Sequence, residues 1–379
     1  MKHFSNQAFV HSYTHCLKVK NNKRILIAPL DWGLGHATRC IPIIRELIHS
    51  GDDVLIAGDG DTLLLLKKEF PELTCILLRG YNIHYSSFFP LSISIFFQIP
   101  KILWRIYREH SHLKKIINEY QIDAVISDNR YGLWNSKIES VFITHQVMIK
   151  TPGYIRFLEP VLYRISKFFI VKYNECWIPD DGQKLSGDLS HRFPLLENSK
   201  LIGTLSRWKG EEKKETKNKY NVIGIVSGPE PHRTSFEKLL TEQFRESNLN
   251  AIIIQGKPDE TTDIQITDRL RLISHLDSKN LYDTIMLSDT IICRAGYSGI
   301  MDLTAIGKNA VLIPTPGQTE QVYLAKYLKE KKMFFSVDQK KFHLNDSMNE
   351  LSNYQVRHES TNHLKKTISS WRKKISESG

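Results

Sequence analysis

Short, nearly uninterrupted apolar runs alternate along this chain with longer stretches in which apolar residues recur at helical spacing. The runs are ILIAPL (25–30), DVLIAG (53–58), CILL (75–78), AVISD (124–128), VFIT (141–144) and CWIP (176–179). Between them the periodicity predicts helices near 37–50, 61–69, 92–119 and 157–172. Strand–helix alternation of this kind predicts a parallel, doubly wound sheet.

RWKGEEKKETKNKY (207–220) breaks the pattern, dense in charge and nearly free of aliphatic residues, and reads as a solvated linker. The alternation then restarts with VIGIVS (222–227), AIIIQG (251–256), LRLIS (270–274), TIICR (290–294), AVLIP (310–314) and MFFSV (333–337). The expectation is an α/β protein of two Rossmann-like doubly wound domains facing across a cleft. The first domain spans 23–206, the linker 207–220 and the second domain 221–345. A flexible extension covers 1–22, and helices over 346–379 pack back toward the first domain. A length of 379 residues suits two such domains.

Composition narrows the class. With 41% hydrophobic and 25% charged residues, the profile is that of a globular protein. The net charge of +11 suits an anionic partner, or is simply a basic surface. The cations are scattered among helices rather than interleaved with aromatics on a platform, which argues against nucleic acid. Five cysteines, none in a C-x-x-C pair, read as reduced thiols in an intracellular, cytoplasmic protein. No secretory signal is evident at residues 1–22. The most apolar stretch, Phe88 to Ile99, falls short of the roughly 20 residues a span needs. PLSISIFFQIPKILWRIYREH (90–110) places aromatic and aliphatic bulk beside Lys101, Arg105 and Arg108. Such a segment suits peripheral docking on an anionic membrane, or else is a core helix with a basic edge.

Two turns carry the candidate chemistry. The first strand ends in PLDWGLGHATRC (29–40), where Gly33 and Gly35 flank a strand-to-helix turn and His36 opens the helix. Glycines admit a ligand close to the backbone, and the first helical N–H groups form an anion site beyond the strand ends. Asp31 and Thr38 flank the same turn. The second turn is Arg294-Ala295-Gly296-Tyr297-Ser298, followed by a helix bearing Asp302 within reach of a ribose diol. After the next strand, Pro314 to Gln321 forms a polar loop. Asp128 in SDNRYG (127–132) and His145 in THQ (144–146) each follow an apolar run, so they join the same strand-end set. Asp128 alternatively pairs with Arg130, and His145 is alternatively satisfied by a loop hydrogen bond.

The second block resembles the C-terminal domain of glycosyltransferase family 28. That family has an S/C-R-x-G turn, an acidic helix residue, a G-x-P-x-x-x-x-P step and a Gln-rich helix start. Here these fall on Cys293-Arg294-Ala295-Gly296, Asp302, Gly307 to Pro314, and Gln318-Thr319-Glu320-Gln321. Asp302 stands where the family usually has Glu, and Asn309 where it has proline. Its G-x-G-G-H loop is similar to Gly33-Leu34-Gly35-His36. The resemblance follows the order of elements over most of residues 24–330 and implies the GT-B architecture, with the active site in the cleft between the domains.

By that resemblance Asp302 holds the donor ribose, and Gln321 with Glu320 lies near the sugar. Ser227-Gly228 is similar to the family's phosphate loop, and His145 to a cleft histidine. Pro229 and Pro231 each remove a backbone donor from that loop, so Arg233 supplies charge in their place. Arg294, Gly296, Tyr297 and Ser298 complete the donor set. Gly33, Gly35, Thr38 and Asp128 form the acceptor or phosphate loop. His36 is the candidate base, with Asp31 or His145 as its substitute.

The implied activity is inverting transfer of a hexose or N-acetylhexosamine from a nucleotide sugar, UDP-linked by preference, to an acceptor hydroxyl on a lipid-linked or envelope glycan. No cofactor and no metal are expected. The rival readings are a nucleotide-sugar hydrolase or epimerase on the same fold, and a non-catalytic subunit that binds nucleotide sugar or membrane.

Overall fold

The computed structural model describes residues 22–81, 91–180, 182, 184–208, 219–356 and 363–377; the side chains of 91–97 and 99 are not among those described. Most of the expected 1–22 extension and of the linker, with Phe88 to Pro90 and Cys16, therefore lies outside the described residues.

The first sheet contains β1 (Arg24–Pro29), β2 (Asp53–Gly58), β3 (Thr74–Leu77), β4 (Ala124–Asp128), β5 (Glu139–Ile143), β6 (Glu175–Ile178) and β7 (Ser199–Leu201). All neighbours are parallel, in the order β3-β2-β1-β4-β5-β6-β7. Its helices are α1 (Leu34–His49), α2 (Gly60–Glu69), α3 (Leu91–Tyr120), α4 (Glu159–Ile170) and the short α5 (Asp188–His191). Helices cover both faces, which is why β1 and β4 are buried on both and read as continuous apolar runs.

The second sheet contains β8 (Tyr220–Ile225), β9 (Ala251–Ile254), β10 (Asp263–Thr267), β11 (Leu270–Ile273), β12 (Ser288–Cys293), β13 (Val311–Leu312) and β14 (Phe335–Ser336). The order is β10-β11-β9-β8-β12-β13-β14, with only β10 antiparallel, at the edge. The helices that follow are α6 (His232–Glu246), α7 (Ser278–Met286), α8 (Tyr297–Ile306), α9 (Thr319–Glu330), α10 (Leu344–Leu351) and α11 (His363–Glu377). Two doubly wound sheets, one after the other, make the architecture α/β of the GT-B type.

Helix α11 returns to the first domain. Trp371 meets Trp177 edge to face, with ring centroids 5.5 Å apart. Arg372 donates to Asp52 at 2.8 Å, and Lys374 to Glu175 at 2.6 Å.

The strand order reverses between β1 and β4 in one sheet and between β8 and β12 in the other. Open α/β sheets bind ligands at such points, beyond the carboxyl ends of the strands. Pro29 pairs with Asp128 at the end of the first sheet, and Cys293 with Ile225 at the end of the second. The two switch points face each other, and one apolar core that includes Leu189, Leu205, Tyr297 and Met301 runs across the boundary. The chain crossing from β7 is held there: Ser206 and Arg207 donate to Asp302, and the Trp208 indole donates to the Ser278 carbonyl at 2.8 Å.

Candidate active site

The turn after β1 has no alternative to glycine at its corner. Gly33 is the residue before α1 with φ +89°, a left-handed conformation that side chains resist, and no side chain caps the helix. Next to it a cavity of about 470 Å³ opens between the domains. Asp31, Trp32 and Gly33 line it from the first domain, and Gly228, Glu230 and Arg233 from the second. The Asp31 carboxyl lies over Gly80, where a β-carbon would come within 1.9 Å of it.

Beside the cavity a buried ionic cluster sits at the switch point of the first sheet. Asp128, wholly buried at the end of β4, accepts from Arg39 Nε at 2.5 Å and from Arg39 Nη2 through its other oxygen. His36 Nδ1 lies 3.1 Å from Asp128 Oδ1 and 2.8 Å from Arg39 Nη2. That nitrogen donates to the carboxylate or accepts from the guanidinium, so the kept contact decides the tautomer. Burial opposes charge on Asp128, but Arg39 and His36 outweigh it and hold the carboxyl far below its ordinary range. Burial, and then Arg39, hold the His36 imidazole below its ordinary value, so the ring is neutral at neutral pH.

The cluster continues into the second domain. Arg39 Nη1 donates to His145 Nδ1 at 2.9 Å, and His145 Nε2 donates to Glu320 Oε1 at 2.8 Å. Glu320 belongs to the first turn of α9. The His145 ring stacks on Tyr297, with centroids 4.3 Å apart and 4° between planes, and the Tyr297 hydroxyl donates to the Pro179 carbonyl. Ser298 donates to the Gly35 carbonyl at 2.7 Å, and Thr38 to the same oxygen at 3.0 Å. His36, Gly35, Thr38, Asp128, His145, Tyr297, Ser298 and Glu320 thus form one connected group.

Other candidates stand differently. Arg233 lines the cavity but donates to Glu230 at 2.9 Å, and the Thr234 N–H also donates to Glu230. The start of α6 is therefore capped from within. Ser227 and Gly228 (φ +106°) lie in the loop between β8 and α6. Gly296 precedes α8, whose start has no side-chain cap. The Gln321 side chain accepts from the Thr315 N–H at 2.9 Å and so braces the loop behind Glu320.

Two expected donor ligands are turned away from the cavity. Arg294 is buried over the Phe236 ring, donating to the His232 carbonyl and to Gln339, with its pKa pulled down by burial to about 10. Asp302 is buried with both oxygens accepting from Ser206 and Arg207. It fastens the interdomain crossing rather than facing an open ribose pocket. Nor does Asp128 pair with Arg130, which is buried against Glu109 at 2.6 Å.

Arg39 is the residue that sequence reasoning passed over. Its signal was a charged side chain inside the run Ala37 to Ile41, all buried, one turn after His36. Among the described residues no three His, Cys, Asp or Glu side chains converge as a metal site requires.

The chain is similar in family and in fold to known glycosyltransferases. Residues 233–375 match the model of the glycosyltransferase family 28 C-terminal domain, a span that contains the Cys293 to Gln321 block. A Methanosarcina acetivorans protein named as an uncharacterized glycosyltransferase is 22% identical over 338 residues, 81% of this chain and 84% of that one. The Clostridium perfringens UDP-N-acetylglucosamine--N-acetylmuramyl-(pentapeptide) pyrophosphoryl-undecaprenol N-acetylglucosamine transferase is 33% identical over 101 residues, 27% of this chain and 28% of its own. Among solved structures, Acinetobacter baumannii MurG superposes with a TM-score of 0.56 at 13% identity, covering 92% of this chain and 99% of that one. The spinosyn rhamnosyltransferase SpnG with thymidine diphosphate does so at 0.55 and 13% identity, covering 93% and 96%.

Proposed function

We propose that this GT-B glycosyltransferase, which resembles family 28, moves a sugar from a nucleoside diphosphate to an acceptor hydroxyl with inversion, at the junction of the two switch points. The observation that carries the proposal is the His36–Asp128 contact, set where the Gly33–Gly35 turn meets the start of α8. With Nδ1–H donated to Asp128, the His36 Nε2 lone pair is a base for the acceptor proton. The acceptor oxygen then attacks the anomeric carbon, and the bond to the diphosphate oxygen breaks. The leaving diphosphate gains negative charge, which suits the uncapped N–H groups at the start of α8 and the Arg233 guanidinium. Glu320 and Gln321 stand in the first turn of α9, where Glu320 meets His145 and sugar hydroxyls can be bound. SpnG was crystallised with thymidine diphosphate, which supports a diphosphate nucleotide as the donor's leaving group.

The acceptor side supports a lipid-linked substrate met at a membrane surface. Ile102 and Ile106 of α3 and Phe169 of α4 belong to one apolar cluster, yet both helices also present large apolar side chains outward. These are Leu103, Trp104 and Tyr107 on α3, Val161, Ile165 and Phe168 on α4, and Tyr154 and Phe157 just before α4. Arg108, Arg156, Arg164, Lys167 and Lys172 are exposed among them. Apolar bulk interleaved with cations matches an anionic bilayer surface, and no helix among the described residues is long and apolar enough to cross one.

A screen of nucleotide sugars for thermal stabilisation tests the donor. A true donor raises the melting temperature progressively with concentration, by mass action. Indifference to all uridine and thymidine diphosphate sugars contradicts the proposal.

A further inference from the structure

We propose that Arg39 is the positioning residue of this site: it fixes the His145 proton on Nε2 and so seats Glu320 of the second domain against the first. The role in turnover rests on the sugar-transfer reading; the geometry does not.

A guanidinium has five N–H donors and no acceptor. Arg39 lies on the buried face of α1, only 1% exposed, and its contacts run in two directions. One edge, Nε and Nη2, grips both oxygens of Asp128. The other edge, Nη1 and Nη2, meets the Nδ1 atoms of His145 and His36 at 2.9 and 2.8 Å. His145 has one partner on each nitrogen, so its assignment follows directly. Because Nη1 can only donate, Nδ1 must accept, and the proton of the neutral ring is on Nε2. That proton is directed at Glu320 Oε1, 2.8 Å away. Stacking on Tyr297 fixes the plane of the ring, and Arg39 fixes its protonation pattern.

The same guanidinium therefore serves both sides of the cleft. It orders Asp128, on which His36 rests, and through His145 it holds the carboxylate that opens α9. Burial disfavours charge on Glu320, but the hydrogen bond from His145 and the Arg39 guanidinium oppose it, and the carboxyl stays below its ordinary range. A lysine at position 39 keeps the charge but is a single point donor, unable to grip both oxygens of a carboxylate and the His145 ring at once. A cation that merely neutralised Asp128 would be replaced by lysine without consequence for His145.

The experiment is 15N NMR of histidine-labelled full-length protein at neutral pH without substrate, comparing wild type with Arg39→Lys. In the wild type His145 should be the Nε2–H tautomer with Nδ1 shifted as a hydrogen-bond acceptor. In Arg39→Lys, with its fold verified by circular dichroism, the two tautomers should mix. An unchanged His145 tautomer in the folded variant overturns the proposal. Should Arg39→Lys not fold, Glu320→Gln probes the other end of the bridge, and the His145 Nε2–H resonance must move. An unmoved resonance there overturns the proposal as well. In turnover, Arg39→Lys should lower kcat at least tenfold while affinity for a nucleoside diphosphate alone stays within twofold. A kcat within twofold of wild type overturns the positioning role. If no sugar transfer is found at all, the functional reading fails while the tautomer measurement still decides the role of Arg39.

Discussion

The Ser298 hydroxyl donates to the Gly35 carbonyl at 2.7 Å, so two glycine turns more than 260 residues apart in sequence touch directly. A β-carbon at Gly35 would lie 3.1 Å from the Ser298 Oγ, tighter than ordinary packing. A side chain at position 35 would thus require the Ser298 hydroxyl to give way by a few tenths of an ångström.

Gly35→Ala should fold normally and lower kcat about tenfold or more, because the α8 start is held away from the turn. Ser298→Ala should cost about 1 kcal/mol of closure, the net value of one hydrogen bond. Steady-state kinetics on both variants checks this. An unaltered Gly35→Ala enzyme means that the contact has no part in turnover.

The pH profile follows from the lowered His36 pKa. A base works in its neutral form, so kcat/KM should rise with pH through an apparent value below the ordinary 6.5 and be level at neutrality. A limb at or above 6.5 assigns the titration to another group.

Stability has a separate anchor in Glu109 and Arg130, joined at 2.6 Å with both side chains buried. Arg130 also donates to the carbonyls of Leu78 and Arg79, and Glu109 accepts from the Gly132 N–H. Glu109→Ala strands the guanidinium and should cost about 3–5 kcal/mol in denaturant unfolding. A loss under 1 kcal/mol means that water replaces the carboxylate.

The membrane surface is checked by sedimentation with vesicles. Binding should rise with anionic lipid content and fall with salt, and Phe157→Ser with Phe168→Ser should weaken it at least tenfold. Binding indifferent to lipid charge, or unchanged in the double variant, removes the α3–α4 surface from the account.

The two-sheet architecture was legible because strands buried on both faces leave apolar runs, and turns that need positive φ leave glycines. Strands β7 and β10 were not. Ser199–Leu201 has no apolar run, and Asp263–Thr267 is an exposed edge strand. His36, His145, Asp128 and Glu320 could each be placed at a strand end or helix start, but their union depended on Arg39, which looked like one polar interruption of an apolar helix. Asp302 reads as a free carboxylate only until Ser206 and Arg207 arrive from the crossing chain. The outward stripe of α4 resembled any amphipathic helix, since periodicity does not tell which apolar positions find a partner.

The most direct test measures sugar transfer and donor affinity on the same His36→Ala protein. The account predicts that wild type transfers sugar from a stabilising nucleotide sugar to an acceptor hydroxyl. His36→Ala should bind that donor within twofold of wild type and transfer roughly 10²–10⁴ times more slowly. Transfer by His36→Ala at the wild-type rate would contradict the account, leaving the His36–Asp128 contact a feature of the turn alone.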